Sequence, residues 1–245
     1  MESLSYNISD YDNLDKEIFS EISFPFPFIK SSLDECNMIF TNFCPKIGTL
    51  TVLFGKQNIG KSYYLQVISG LEKPTHSQED GDKLYLKYDI SYKPENISPK
   101  FNGTVLELLS KIVKNDDELY HELEEAVLLS EFIYNNVQDL NIEEIERLSF
   151  LLTLLQDKTI FIFDCPVRKV QPLTRYRLWK YFKNFVSKYH KIGIIVEDNI
   201  EFIRQFGDSV YLFENCADDD GEDLVVTKEY TLKQFLNLDL ICNKS

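Results

Sequence analysis

Eight consecutive residues carry the clearest chemistry in the chain: Gly55-Lys56-Gln57-Asn58-Ile59-Gly60-Lys61-Ser62. Their spacing, G-x-x-x-x-G-K-S, is that of a loop that wraps a polyphosphate. Gly55 and Gly60 let the backbone take positive φ and close on an anion with no Cβ in the way. The N–H groups of the loop, from Lys56 through Tyr63, and the start of the next helix present partial positive charge to phosphate. Lys61 is placed to bridge the β- and γ-phosphates of a nucleotide, and the Ser62 hydroxyl to hold Mg²⁺. The alternative is a glycine-containing turn that matches by chance. The flanks favour the phosphate. Residues 50–54 are an apolar, β-branched run expected as a buried strand, and residues 62–70 read as a helix closed by Gly70.

A second candidate group lies further along. Thr159-Ile160-Phe161-Ile162-Phe163-Asp164 is an apolar run ending in a carboxylate, the pattern of a strand covered on both faces of a parallel sheet. An Asp after a strand is commonly a turn residue or a helix cap. Downstream of a phosphate loop it is placed to hold Mg²⁺, directly or through water.

Composition narrows the setting. The 245 residues suffice for one medium or two small domains, and 44% hydrophobic with 13% aromatic content describes a globular chain. No run approaches the ~18 apolar residues of a membrane helix. Met1-Glu2-Ser3 opens without a charged-then-apolar leader, so a soluble cytoplasmic protein is expected. A formal net charge of −14 opposes broad contact with nucleic-acid phosphates. Nine Lys and Arg between Lys158 and Lys191 form either a local basic patch or a solvated helix face. The five cysteines show no C-x-x-C spacing, and His76, His121 and His190 are scattered, so neither a disulfide frame nor a metal cluster is expected.

These groups need a scaffold. Residues 1–22 read as an acidic tail. In Phe24-Pro25-Phe26-Pro27-Phe28 the prolines exclude a helix or a central strand, leaving an extended or edge segment. Asn37-Met38-Ile39-Phe40 reads as a strand, and Lys83 to Tyr92 alternates like one. Residues 103–147 have mainly helical spacing, which continues from Ile142 to Leu155. Residues 173–189 form an amphipathic helix whose Trp179, Tyr181, Phe182 and Phe185 are expected in the core. Residues 192–197 and 209–213 are further apolar strands, Asp218-Asp219-Asp220-Gly221-Glu222-Asp223 an exposed turn, and residues 230–241 a final helix. Alternation of strand and helix gives an α/β fold: a mostly parallel sheet of the P-loop NTPase kind, with an inserted helical subdomain.

The order of phosphate loop, helical insert, apolar strand ending in Asp and a further apolar strand resembles an ATP-binding cassette. The segment Ser91-Tyr92-Lys93-Pro94-Glu95-Asn96-Ile97-Ser98-Pro99-Lys100, followed by Gly103 and Val105, is similar to the second cassette of subfamily E, the ribosome-recycling ATPases also called RNase L inhibitor proteins. Val137-Gln138-Asp139-Leu140 and Ile194-Ile195-Val196-Glu197-Asp198 are similar too. The resemblance implies ATP and Mg²⁺ as ligands, with Phe26 as the ring that stacks on adenine. It places residues 1–22 as a tail, 23–215 as the cassette with its helical insert at about 103–147, and 216–245 as an acidic loop and hinge-like segment. It also implies a ribosomal subunit or translation factors as partners, and pairing with itself or with another cassette.

Departures from the family pattern fall on the groups that act on the γ-phosphate. The family's sensing glutamine is Glu95, its catalytic glutamate is Cys165, and its switch histidine is Asp198. Its D-loop Ser and Asp fall on Val167 and Gln171, and its L-S-G-G-E signature on Leu140-Asn141-Ile142-Glu143-Glu144. Loss of a positioned base alone costs on the order of 10²–10⁴-fold in rate. The expectation is a hydrolysis-deficient nucleotide-binding module. The alternatives are an ATPase active only beside another cassette, and a structural interaction protein with a relic loop.

Overall fold

Apolar runs such as Ile160-Phe161-Ile162-Phe163 have no polar side to turn to water and must be covered on both faces. The computed structural model shows how. It describes residues 28–30, 37–40, 43–72, 89–113, 118–164, 169–217 and 223–238, without the side chains of 28–30, 37–40, 216–217 and 223–226. Among them are eight strands: β1 (Phe28–Lys30), β2 (Asn37–Phe40), β3 (Leu50–Gly55), β4 (Ile90–Lys93), β5 (Ile160–Phe163), β6 (Ile192–Val196), β7 (Ser209–Ala217) and β8 (Asp223–Thr231). They form one sheet in the order β1-β2-β8-β7-β3-β6-β5-β4. From β7 to β4 every pairing is parallel; β8 runs antiparallel to β7 and parallel to β2, and β1 is antiparallel to β2.

Parallel neighbours need crossovers, supplied by α1 (Lys61–Ile68), α2 (Val105–Ser110), α3 (Glu118–Ala126), α4 (Ile142–Leu154), α5 (Pro172–Lys188) and α6 (Ile200–Phe206); α7 (Leu232–Leu236) follows β8. The period-2 alternation of the strands divides the core. Leu53, Ile160, Ile162, Ile192, Ile194 and Val196 face Tyr64, Leu65, Val67 and Ile68 of α1. Leu50, Val52, Phe161, Phe163 and Ile195 face the opposite layer, built around α4 and α5. There the Phe163 ring lies 4.7 Å from Phe182 and 5.2 Å from Phe150. Trp179, Phe182 and Phe185 of α5 are buried as expected, and Tyr181 packs beside them half-buried. Gly193 lets α5 approach this closely: a Cβ there would stand 2.7 Å from Leu50 Cδ1 and 3.0 Å from Val186 Cγ2.

Caps explain where the helices begin. Thr104 with Glu107, and Asn141 with Glu144, form capping boxes at α2 and α4, and Pro172 stands at the first turn of α5. Between α3 and α4 the chain makes two 3₁₀ turns, Leu129–Glu131 and Val137–Asp139.

One expectation is corrected. Residues 230–241 do not form a helix throughout: Tyr230 and Thr231 end β8, and α7 covers only Leu232–Leu236. Main-chain pairing decides this, because β8 is hydrogen-bonded along its whole length to β7 and along four residues to β2. Phe235 of α7 is 1% exposed and meets Phe54 at 5.1 Å, so this segment packs against the same sheet. The tail at 1–22, the Phe24 to Pro27 stretch and most of the acidic turn lie outside the described residues. So do residues 83–88 of the expected alternating strand.

Candidate functional site

The loop after β3 has the backbone its sequence calls for. Gly55 (φ 152°) and Gly60 (φ 99°) occupy conformations that L side chains rarely adopt, and Asn58 joins them at φ 62°. A Cβ on Gly55 would stand 2.7 Å from the Phe213 carbonyl oxygen, so strand β7 presses directly against the loop. Ile59, 7% exposed, anchors the loop in the core, while Lys56, Gln57 and Asn58 are exposed. Gly60 brings no side chain to cap α1, and the first turn of α1 carries no acidic residue. This helix N-terminus therefore keeps its positive end open to an anion.

Lys61 is buried, and its ammonium donates to the carbonyls of Gly55 at 2.8 Å and Lys56 at 2.6 Å. Ser62 donates to Asp164 Oδ1 at 2.9 Å, and Tyr92 donates to Oδ2 at 3.1 Å. Asp164 ends β5 at 2% exposure. Burial pushes its carboxyl above the usual carboxylate range; the hydrogen bonds from Ser62 and Tyr92 pull it back, Glu95 adds to the rise, and Lys93 opposes it. A cation at this point would offset the burial of the carboxylate. Among the described residues no group of three or more His, Cys, Asp or Glu could hold a metal. A cation at Ser62 and Asp164 would thus draw on nucleotide phosphates for further ligands, as Mg²⁺ does.

The structure brings residues 55–63 and Asp164 together. Glu95 lies exposed on the loop after β4, and its charge reaches Asp164. Asp198 is exposed after β6, and its N–H donates to Glu197 Oε1. Gln171 is exposed at the start of α5. Phe26, Cys165 and Val167 lie outside the described residues. Residues 140–144 turn their polar groups on themselves: Asn141 Oδ1 accepts from the Glu144 N–H at 3.0 Å, and Glu144 Oε2 from the Asn141 N–H at 2.9 Å. The basic stretch is largely answered by carboxylates, with Lys158 on Asp89, Lys183 on Asp208, Lys188 on Glu122 and Arg175 on Glu197.

Sequence reasoning missed several supports of this site. Tyr92 reaches Asp164, and Lys93 pairs with Glu146 at 2.7 Å deep in the protein. Glu197, 3% exposed, accepts from the Asp198 and Asn199 N–H groups and from Arg175 Nη2 at 2.5 Å, which fixes the turn after β6. The signal for Glu197 was present: like Asp164, it is a carboxylate that ends an apolar strand.

No protein-family model matches the chain. It is 27% identical over 168 residues to the translation initiation factor RLI1 of Chaetomium thermophilum, covering 67% of this chain and 27% of that protein. It is 23% identical to Protein Pixie of Drosophila melanogaster over 239 residues, covering 96% of this chain and 37% of that protein. The chain thus spans about a third of the length of these relatives. Among solved structures, the complex of archaeal ribosomal stalk protein aP1 and archaeal ribosome recycling factor aABCE1 matches with a TM-score of 0.75. The identity is 21%, over 91% of this chain and 42% of that one. The fold is that of an ATP-binding cassette, a mixed, mostly parallel α/β sheet.

Proposed function

We propose that this chain is an ATP-binding module that holds Mg–ATP and does not turn it over efficiently. The observation that carries the reading is the hydrogen bond of Ser62 to Asp164, at the uncapped start of α1 and one residue from Lys61. In this reading Gly55 through Tyr63 cradle the phosphates, Phe26 stacks on adenine, and Ser62 and Asp164 hold Mg²⁺, which would neutralise phosphate charge. The groups that would act on the γ-phosphate are replaced by Glu95, Cys165 and Asp198. The segment 140–144, where the family would offer N–H donors, is self-capped and acidic. Calorimetry should find saturable Mg–ATP binding that Lys61→Ala weakens sharply; absence of binding by the wild-type chain overturns the reading. Steady-state hydrolysis at ordinary ATPase rates, alone or beside a second cassette, and lost in Lys61→Ala, would make it an enzyme instead.

The link to translation is supported by the names of its relatives, one a translation initiation factor and one solved with a ribosomal stalk protein. We extend it to this chain as a cytoplasmic clamp that docks, with ATP bound, on a ribosomal subunit or translation factor. At a net charge of −14 the surface is repelled by RNA within a Debye length of ~8 Å. Contact would therefore go through protein. Sucrose-gradient co-sedimentation with and without ATP tests this, and a chain that stays at the top in both conditions removes the ribosome from the proposal.

A further inference from the structure

The two carboxylate oxygens of Asp164 are held by different elements, and that division bears on which cation the site takes. Strand alternation arranges it. Ile160, Ile162 and Asp164 follow one another at every second residue along and just beyond β5, on the sheet face that packs against α1. Tyr92 of β4 pairs in register with Ile162 and packs, half-buried, in the same layer. Lys93, the next residue, turns to the opposite layer, where it meets Glu146. Asp164 is thus within reach of α1 from one element and of β4 from another. Its Oδ1 accepts from Ser62 at 2.9 Å and its Oδ2 from Tyr92 at 3.1 Å.

A metal ion would treat these two donors differently. Ser62 stands in the phosphate loop and is itself a candidate ligand, so its hydroxyl turns from Oδ1 to the cation. Tyr92 belongs to β4, outside that loop, and its ring is packed among apolar side chains of the α1 layer. Its hydroxyl keeps Oδ2, and Asp164 offers the cation one oxygen rather than two. Glu95, exposed on the loop after β4, is the other carboxylate whose charge reaches Asp164. Among the described residues no cluster of three acidic, His or Cys side chains stands ready to add more ligands. Cations differ in how they tolerate this. Mg²⁺ takes about six ligands in a strict octahedron and keeps several of them as water. Ca²⁺ takes about six to eight oxygens in a looser shell and uses both oxygens of a carboxylate where it can.

We propose that Tyr92 determines cation specificity: by keeping Asp164 Oδ2 occupied it limits this carboxylate to one-oxygen ligation, and so favours Mg²⁺ over Ca²⁺ as the ion that accompanies the nucleotide. The inference rests on the Mg–ATP reading above. Calorimetry of the full chain with Mg–ATP and with Ca–ATP tests it, and the quantity read is the ratio of the two affinities. Wild type should prefer Mg–ATP. Tyr92→Phe keeps the ring and removes the hydroxyl, which frees Oδ2 for a larger ion. The preference should then fall about 2–10-fold, the span covered by one neutral hydrogen bond. Because both affinities come from the same preparation, a partly unfolded variant leaves the ratio intact. In an Asp164→Asn background, Tyr92→Phe should no longer move the ratio, a coupling that a purely structural tyrosine would not produce. Three results overturn the role of Tyr92 and leave nucleotide binding standing. They are a ratio unmoved by Tyr92→Phe, an equal change in the Asp164→Asn background, and a wild type that binds Ca–ATP at least as tightly as Mg–ATP. A wild type that binds neither overturns both readings.

Discussion

Lys93 and Glu146 meet at 2.7 Å with side chains 1% and 6% exposed, joining the end of β4 to α4. The Lys93 carbonyl also accepts from the Asp164 N–H at 2.9 Å. One residue thus touches both the strand that presents the candidate metal ligand and the helix that lies beyond it. Burial holds the Lys93 ammonium below the usual lysine range, and the Glu146 carboxylate works against that fall.

Breaking that pair from one side should be costly. Lys93→Met leaves Glu146 charged and buried, and the expected loss of stability is about 3–5 kcal/mol. The double variant Lys93→Met with Glu146→Leu should recover most of it. Urea unfolding of the single and double variants measures both values, and a double variant no better than Lys93→Met would show that the pair is not the source of the cost.

Asp164 should leave a signature in the pH dependence of the nucleotide-free chain. Its folded pKa is raised above 3.8, so the folded state binds the proton more tightly than the unfolded state. The stability this contributes is present in full below pH about 3.8 and is lost as pH rises through the raised value. Denaturation from pH 4 to 7 should therefore show a decline in wild type relative to Asp164→Asn. Mg–ATP should oppose the decline in wild type and have little effect on the variant. Parallel curves would place the titration elsewhere.

Lys61→Ala removes the ammonium that now rests on two loop carbonyls. Charge-assisted hydrogen bonds contribute roughly 1.5–3 kcal/mol each, so two lost to phosphate oxygens should weaken Mg–ATP by at least about 100-fold. Calorimetry reads the change directly, and a loss under 10-fold would show that the lysine stays on the loop when nucleotide binds.

Gly193→Ala tests how tightly α5 lies on the sheet. The new methyl would meet Leu50, Val186 and Phe182, all within 3.1 Å. Overpacking of this kind costs about 1–3 kcal/mol, and denaturant unfolding should find a loss in that range with the m-value unchanged.

Legibility in the sequence followed physical type. The strands at 160–163 and 192–196 were readable because continuous apolar runs of that length have one home. α4 and α5 began within a residue of expectation because their apolar residues recur at helical spacing from those points, to which the structure adds the capping box of Asn141 with Glu144 and Pro172 in the first turn. The phosphate loop was readable because its glycine spacing is set by backbone geometry, and those glycines do take left-handed or otherwise restricted φ values. β8 was not readable, since four of its nine residues pair with β2, far away in sequence, and its neighbour β7 was expected only as far as Phe213. The buried Lys93 was equally hidden: a lysine in sequence predicts solvent, and only its distant partner Glu146 reverses that.

The placement of β8 also sets an order of assembly. Among the described residues, β2 pairs with β1 on one side and with β8 on the other. Of the described strands, β1 and β2 therefore reach the main body of the sheet only through β8. While translation is under way, β1 and β2 have only each other among the described strands, and a two-stranded ribbon is marginal in water. They must wait until Leu224 to Thr227, the residues of β8 that pair with β2, have emerged. Loss of the chain after Ala217 would unseat the N-terminal strands as surely as deleting them, although nearly two hundred residues separate the two ends of that contact.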